Sequence, residues 1–325
     1  MRIHARPTAE PVAPTPPPKR RPRRVAIAVI ATLGVLGVVG GTLYGRQLWS
    51  VLTHRKGAPT TTWAIEAFPP GGEPIARIAV AGDVGEGEEE EWQTAWAIRQ
   101  LSFDDAPYDA LLLLGDNVYP DGDPARLEHT VFRPFEIVLE QGPELLAIVG
   151  NHDAGFADRQ MEVLGMPGTW WTTTIGTDVR VIGLDSNRVD DPTQLAFLEE
   201  TLRAATEPWR IVAVHEPPYS SGYQGSNIEV RDTFGPLFAR YGVQLVLSGH
   251  EHDYQRTDAI DGVTYVISGA AGRTRGTGGG PYTAASWAVL HAVDINVFSD
   301  HLSIRAITQD ARAFDGFTVP RRAAG

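Results

Sequence analysis

Five short blocks set a side chain able to bind metal directly after an apolar run: Asp83, Asp116, Asn151, His215 and His250. Four of them follow a glycine (Gly82, Gly115, Gly150, Gly249), which lets the chain turn tightly and the side chain leave the sheet. Successive blocks stand at least 33 residues apart, room for a strand, a crossover helix and the next strand. The five ends can therefore reach one edge of one sheet, where open α/β sheets hold their ligands. Taken singly, a Gly-Asp pair is an ordinary turn, a strand-end histidine an ordinary rim residue, and His250-x-His252 a chance pair. Five in register, all with oxygen or nitrogen donors, point to metal chemistry. The chain has no cysteine, so a metal would be held by O and N ligands, which suits hard or borderline ions.

The elements that must position these blocks are legible in the pattern. Apolar runs predict strands over 75–81, 110–114, 144–149, 209–214 and 243–247, each ending at a block. Helices are predicted over 88–101, 123–140, 191–202 and 230–240, with Asp123-Pro124 and Asp191-Pro192 as N-caps followed by proline at the first helical position. The acids that open 88–101 oppose the helix dipole and are expected to face water. Residues 154–169 and 216–227 read as loops and 170–174 with 179–184 as a hairpin. From 264 onward only strands are expected, at 264–268, 288–297, 302–308 and 316–319, with a glycine-rich loop at 276–280. No internal repeat is visible.

Charge divides the chain. The first 56 residues carry ten Lys and Arg against one acid, Glu10, so the remainder holds −21 of a whole-chain −12. An acidic body argues against nucleic acid as the main partner, though not against a small phosphorylated substrate held by metal ions. Residues 1–24 read as a disordered basic tail and 25–44 as twenty uncharged residues long enough to span a bilayer. Residues 45–73 read as a stalk and linker and 74–320 as the folded body. The basic cluster before the span places the N-terminus in the cytoplasm and the body outside, anchored to the membrane. Secretion after signal cleavage is the alternative, but the apolar stretch is long and no clear small-x-small site follows Tyr44.

Gly82-Asp83-Val84-Gly85, Gly115-Asp116-Asn117-Val118-Tyr119, Gly150-Asn151-His152-Asp153, Val212-Ala213-Val214-His215 and Gly249-His250-Glu251-His252 resemble, in order, the five blocks of the calcineurin-like metallophosphoesterases. Within that superfamily they resemble the small, single-domain purple acid phosphatases. Gly85 stands where the wider superfamily has a histidine ligand, and Tyr119 stands where the purple acid phosphatases supply a tyrosine in its place.

The resemblance implies an α/β fold of two packed mixed β-sheets flanked by helices. It implies one metal on Asp83, Asp116, Tyr119 and His252, and a second on Asp116, Asn151, His215 and His250, with Asp116 shared. Fe(III) suits the first set; Zn, Mn or Fe(II) suits the second. The activity implied is hydrolysis of phosphate monoesters by a metal-bound hydroxide, with His152 protonating the leaving group. A phosphodiesterase acting on nucleotides or phospholipid head groups, and a non-catalytic surface-tethered binding protein, are the alternatives. Tyr219, Tyr223 and the 154–169 loop could shape the mouth, and Arg273 and Arg275 could meet phosphate, but loop packing and a solvated loop are the simpler readings.

Overall fold

A strand apolar at every position needs cover on both faces. β3 (Ala110–Leu113) is such a strand and β2 (Ala76–Ala81) nearly so; both are buried throughout in the computed structural model, which describes residues 59, 61–64, 72–104 and 106–322. Ile78, Val80 and Leu112 enter a core between two sheets, while Ala79, Ala81, Leu111 and Leu113 face an outer helical layer. A fully buried Leu or Ile contributes about 1.5–3 kcal/mol by leaving water. The expected tail, membrane helix and most of the linker lie outside the described residues. Among the described residues, no helix is long and apolar enough to cross a membrane.

The first sheet runs β1 (Trp63–Ala64), β14 (Arg312–Pro320), β13 (His301–Thr308), β12 (His291–Val297), β2, β3 and β4 (Glu144–Ala147). β2, β3 and β4 are parallel to one another. The second runs β11 (Thr283–Trp287), β9 (Tyr254–Thr257), β10 (Thr264–Ser268), β8 (Leu245–Ser248), β7 (Trp209–Val214), β6 (Val179–Leu184) and β5 (Trp171–Ile175). Its centre, β10-β8-β7-β6, is parallel. Both sheets are mixed and helices flank them, the architecture expected. α1 (Glu89–Asp104), α2 (Arg133–Leu139) and α3 (Ala157–Val163) cover the first sheet, burying Ile98, Phe135 and Met161. α4 (Pro192–Ala204) and α5 (Ile228–Arg240) cover the second through Leu198, Leu202, Phe234 and Phe238.

Several local expectations need correction. The blocks do not share one sheet: Asp83, Asp116 and Asn151 follow β2, β3 and β4, whereas His215 and His250 follow β7 and β8. The long gap between 151 and 215 holds the β5–β6 hairpin that opens the second sheet. The helix expected over 123–140 is broken into a 3₁₀ turn at Pro124–Arg126, a π turn at Glu128–Phe132 and α2. Pro134 has no N–H to give the Thr130 carbonyl, and the Arg133 N–H reaches back to Glu128 instead. Residues 154–169 contain a 3₁₀ turn and α3; that helix buries Gln160 beside Met161, so no apolar period announces it. β9 and β11 fall on stretches where the sequence pattern predicts no strand, and they pair with each other and β9 with β10. Finally, Glu91 does not face water. It is buried and accepts from the N–H of Glu86 and Glu88 at 2.8 and 2.7 Å.

Candidate metal centre

Three candidate ligands leave their strands through left-handed backbone: Asp83 (φ 57°), Asp116 (φ 51°) and His250 (φ 70°). For a residue with a Cβ this costs about 1–2 kcal/mol each, and such strain collects where function requires it. The glycines before the ligands make room for one another's blocks. A Cβ on Gly150 would collide with Asp116; one on Gly249 would stand 2.6 Å from Asp83 Oδ2, and one on Gly115 2.7 Å from His215 Nδ1. The two sheet edges therefore close against each other only because those three positions lack side chains.

The donors fall into two groups. In the first, Tyr119 Oη lies 3.0 Å from Asp83 Oδ1 and 3.1 Å from His252 Nε2, and His252 Nε2 lies 3.4 Å from Asp83 Oδ1. In the second, Asn151 Oδ1 lies 2.8 Å from His250 Nδ1 and 3.2 Å from His215 Nε2, which is 3.4 Å from Asp116 Oδ1. Ligand atoms of Asp83, Asp116 and His215 all lie within 4.8 Å of one another, a grouping that could hold a metal ion. Separations of this size are those of donors around an ion at about 2.0–2.2 Å. His215 gives its Nδ1–H to the Leu114 carbonyl at 2.7 Å, leaving Nε2 free to ligate; metal-binding histidines are habitually oriented this way. His252 Nδ1 is buried without a hydrogen-bond partner. The donor set fits metal in both places.

The charges of the group act strongly on one another. Burial opposes charge on His215, but Asp116 beside it, with help from Asp83 and the Leu114 carbonyl, pushes the imidazole up to about 10. Burial likewise opposes charge on Asp116, and His215 overrides it, holding the carboxyl below the usual range. His250 is pushed down to about 4 by burial and then by charged His215. Burial, then Asp83 and Asp116, drive the Tyr119 phenol well above its ordinary value, so only a cation could ionise it.

His152 lies at the rim of this assembly. Its N–H donates to Asp116 Oδ1 at 2.9 Å, and its Nδ1 meets the Pro120 carbonyl at 2.7 Å, which makes Nδ1 the donor and frees Nε2. Its ring packs edge-on to Tyr119 at 4.8 Å. Gly85 cannot be exchanged for the missing histidine, because its Cβ would lie 2.7 Å from the Tyr119 and Val118 nitrogens. The chain that presents Tyr119 occupies the space that a side chain at 85 would need.

Two supporting acids carry no role in the sequence reading although they sit inside the blocks. Asp153 is buried and accepts from Gly150 N at 2.9 Å and Asn117 N at 3.1 Å, binding the third block to the second. Glu251, between the two histidines, is also buried and accepts from Ser220 Oγ at 2.9 Å and Gln224 N at 2.8 Å, fastening the 216–227 loop. Only their position beside ligands could have flagged them. Tyr219 packs on Tyr265 and Tyr282 at 4.8 and 5.5 Å, which is loop packing. Tyr223 is exposed.

The same architecture recurs in known proteins. The profile of the calcineurin-like phosphoesterases matches residues 76–254, and the chain belongs to that family. Tartrate-resistant acid phosphatase type 5 of Homo sapiens is 41% identical over 78 residues, 24% of this chain and 24% of that protein. Purple acid phosphatase 21 of Arabidopsis thaliana is 27% identical over 237 residues, 64% of this chain and 52% of the relative. The chain thus spans only about a quarter to a half of the length of these relatives. Among solved structures, the purple acid phosphatase PPD1 from yellow lupin superposes with a TM-score of 0.68 at 19% identity, over 78% of this chain and 55% of that one. GAP50, described as the anchor in the inner membrane complex of Plasmodium, superposes with a TM-score of 0.67 at 15% identity, over 76% of this chain and 89% of that one.

Proposed function

We propose that this chain hydrolyses phosphate monoesters as a two-metal, purple-acid-phosphatase-like enzyme. The observation that carries the reading is the pair of donor groups meeting at Asp116, with His152 at their rim. The fold alone does not carry it, since a protein of similar fold is described as an anchor. Asp83, Asp116, Tyr119 and His252 would hold one ion, and Asp116, Asn151, His215 and His250 the other. The ions would polarise phosphoryl oxygens and acidify a bound water. His152, steered through Nδ1–H by the Pro120 carbonyl, would in its imidazolium form give the Nε2 proton to the departing alkoxide or phenoxide. Leu114 fixes the His215 ring, and Asp153 and Glu251 hold the blocks and the mouth loop in place.

A carboxylate and a phenol in the first group favour Fe(III), and an amide with imidazoles in the second favours Zn, Mn or Fe(II). The basic cluster before 25–44 supports an outward-facing body tethered to a membrane. Metal analysis of purified protein should return about two ions per chain with a broad visible band, and Tyr119→Phe should abolish the band. Hydrolysis of nitrophenyl phosphate should exceed that of bis-nitrophenyl phosphate. Protein that holds two metals yet cleaves neither ester would sink the enzymatic reading; an active, colourless Zn or Mn protein would sink only the iron.

A further inference from the structure

The segment after β10 is built into the donor set. A Cβ on Gly269 would stand 2.7 Å from Asp83 Oδ2, Ala271 N donates to the Gly82 carbonyl at 3.2 Å, and Arg275 N donates to the His252 carbonyl at 2.6 Å. Between those fixed points stands Arg273. Its guanidinium lies 6.0 Å from the centre of the Tyr119 ring and pairs with Glu86 Oε1 at 2.9 Å. The two side chains are 51% and 26% exposed, so the pair is open to water. An exposed ion pair of that kind is weak, and a phosphate can take the arginine from it. Tyr119 therefore has His152 against one edge and a releasable guanidinium nearby.

We propose that Arg273 binds the phosphoryl group of the substrate and thereby selects monoesters over diesters, with Glu86 holding the arginine while the site is empty of substrate. This rests on the phosphoesterase reading above. A monoester has three terminal oxygens and two negative charges. Two of those oxygens can face the metal groups, which leaves a third for a guanidinium. A diester has two terminal oxygens and one charge, so nothing is left for Arg273 once both face the metals. Arginine suits the task because it stays charged and its rigid planar guanidinium can aim more than one N–H at that third oxygen, a fixed geometry that lysine's flexible ammonium does not reproduce.

The test measures kcat and KM for nitrophenyl phosphate and for bis-nitrophenyl phosphate in the full metal-loaded chain, alongside calorimetric binding of inorganic phosphate. Arg273→Ala should lower kcat/KM for the monoester about 10- to 100-fold, mainly through KM, and that for the diester about 3-fold or less. Phosphate affinity should fall about 10-fold, and Arg273→Lys should recover little of either loss. Glu86→Gln should tighten phosphate about 2- to 5-fold by releasing the arginine. Metal content and the visible spectrum should be unchanged throughout, which separates a lost substrate contact from a damaged centre. Equal losses on both esters, or no loss on either, would overturn the proposal. If the parent chain cleaves neither ester, the enzymatic reading fails on its own; phosphate binding then still tests the arginine, and equal affinity in parent and Arg273→Ala overturns it.

Discussion

Two clusters of buried charge draw carboxylates from the first sheet, and they are built on opposite terms. Around Asp294 the carboxylate is met by donors on both oxygens. Arg77 reaches Oδ1 at 3.1 Å, Arg305 reaches Oδ2 at 2.6 Å, Tyr108 donates to Oδ1 at 2.9 Å and Asn296 donates to Oδ2 at 2.7 Å. Around Asp83 and Asp116 the carboxylates face a phenol, an amide oxygen and imidazoles, and His252 Nδ1 has no partner. The first cluster is complete as the chain folds. The second sets Asp116 Oδ1 3.4 Å from His215 Nε2 and presents lone pairs where a cation could lie. Buried charge that serves stability brings its own partners, whereas buried charge that serves chemistry leaves a place for one.

The sharpest way to break this contrast is Asp116→Ala. It removes the carboxylate common to both donor groups, so metal content should fall from about two ions per chain to near zero and phosphoesterase activity should drop about 10³-fold or more. A chelator should then leave the melting temperature of the variant unchanged while lowering that of the parent. A variant that keeps one tightly bound ion would show that the groups are independent and that Asp116 is not shared.

The matching change in the other cluster is Asp294→Ala. It removes the carboxylate that both Arg77 and Arg305 reach, and breaking a buried ion pair by deleting one partner costs about 3–5 kcal/mol. Unfolding in urea should show that loss, with metal content unchanged wherever the variant remains folded. An Asp294 variant of near-parental stability would mean that water reaches Arg77 and Arg305 and that the cluster is not as closed as their burial indicates.

These clusters also differ in how well the sequence announces them. Asp83, Asp116, Asn151, His215 and His250 are legible because a ligand needs a particular atom type at a strand end, and the apolar run and glycine before it are local marks. Tyr119 is legible through Gly85, since one stands in for what the other lacks. The partition of the blocks between two sheets is not local: β7 and β8 read like β2 and β3, and only the long stretch holding the β5–β6 hairpin hints at a second sheet. Asp294 sits in β12 as one acid among apolar neighbours, and its arginines come from β2 and β13, partners that no spacing rule joins. Arg273 and Glu86 are likewise far apart in sequence and meet only through the packing of the segment after β10 on Asp83.

Glu91 lies between the two designs, and the smallest predicted effect comes from it. It is buried, has neither a cation partner nor a place in the donor set, and is held by backbone N–H groups from the turn that follows Asp83. Burial, opposed by the N–H groups of Glu86, Glu88 and Gly87, pushes its carboxyl up to about 8 from 4.5. The folded chain therefore binds a proton there that the unfolded chain releases, so stability from this group is full below about 4.5 and is lost as pH rises toward 8. Glu91→Gln removes that dependence but turns an amide N–H₂ toward one of the two N–H donors, a loss of about 1 kcal/mol. The variant should thus be the less stable chain at pH 5, and the gap should narrow or reverse by pH 9, by about 1–3 kcal/mol in all. Urea unfolding of both chains in chelator checks this, because titration of the site histidines is common to the two and cancels in the difference. A constant difference across that range would mean that the carboxylate stays ionised on its backbone donors, and that Glu91 belongs with the satisfied charges of the Asp294 cluster.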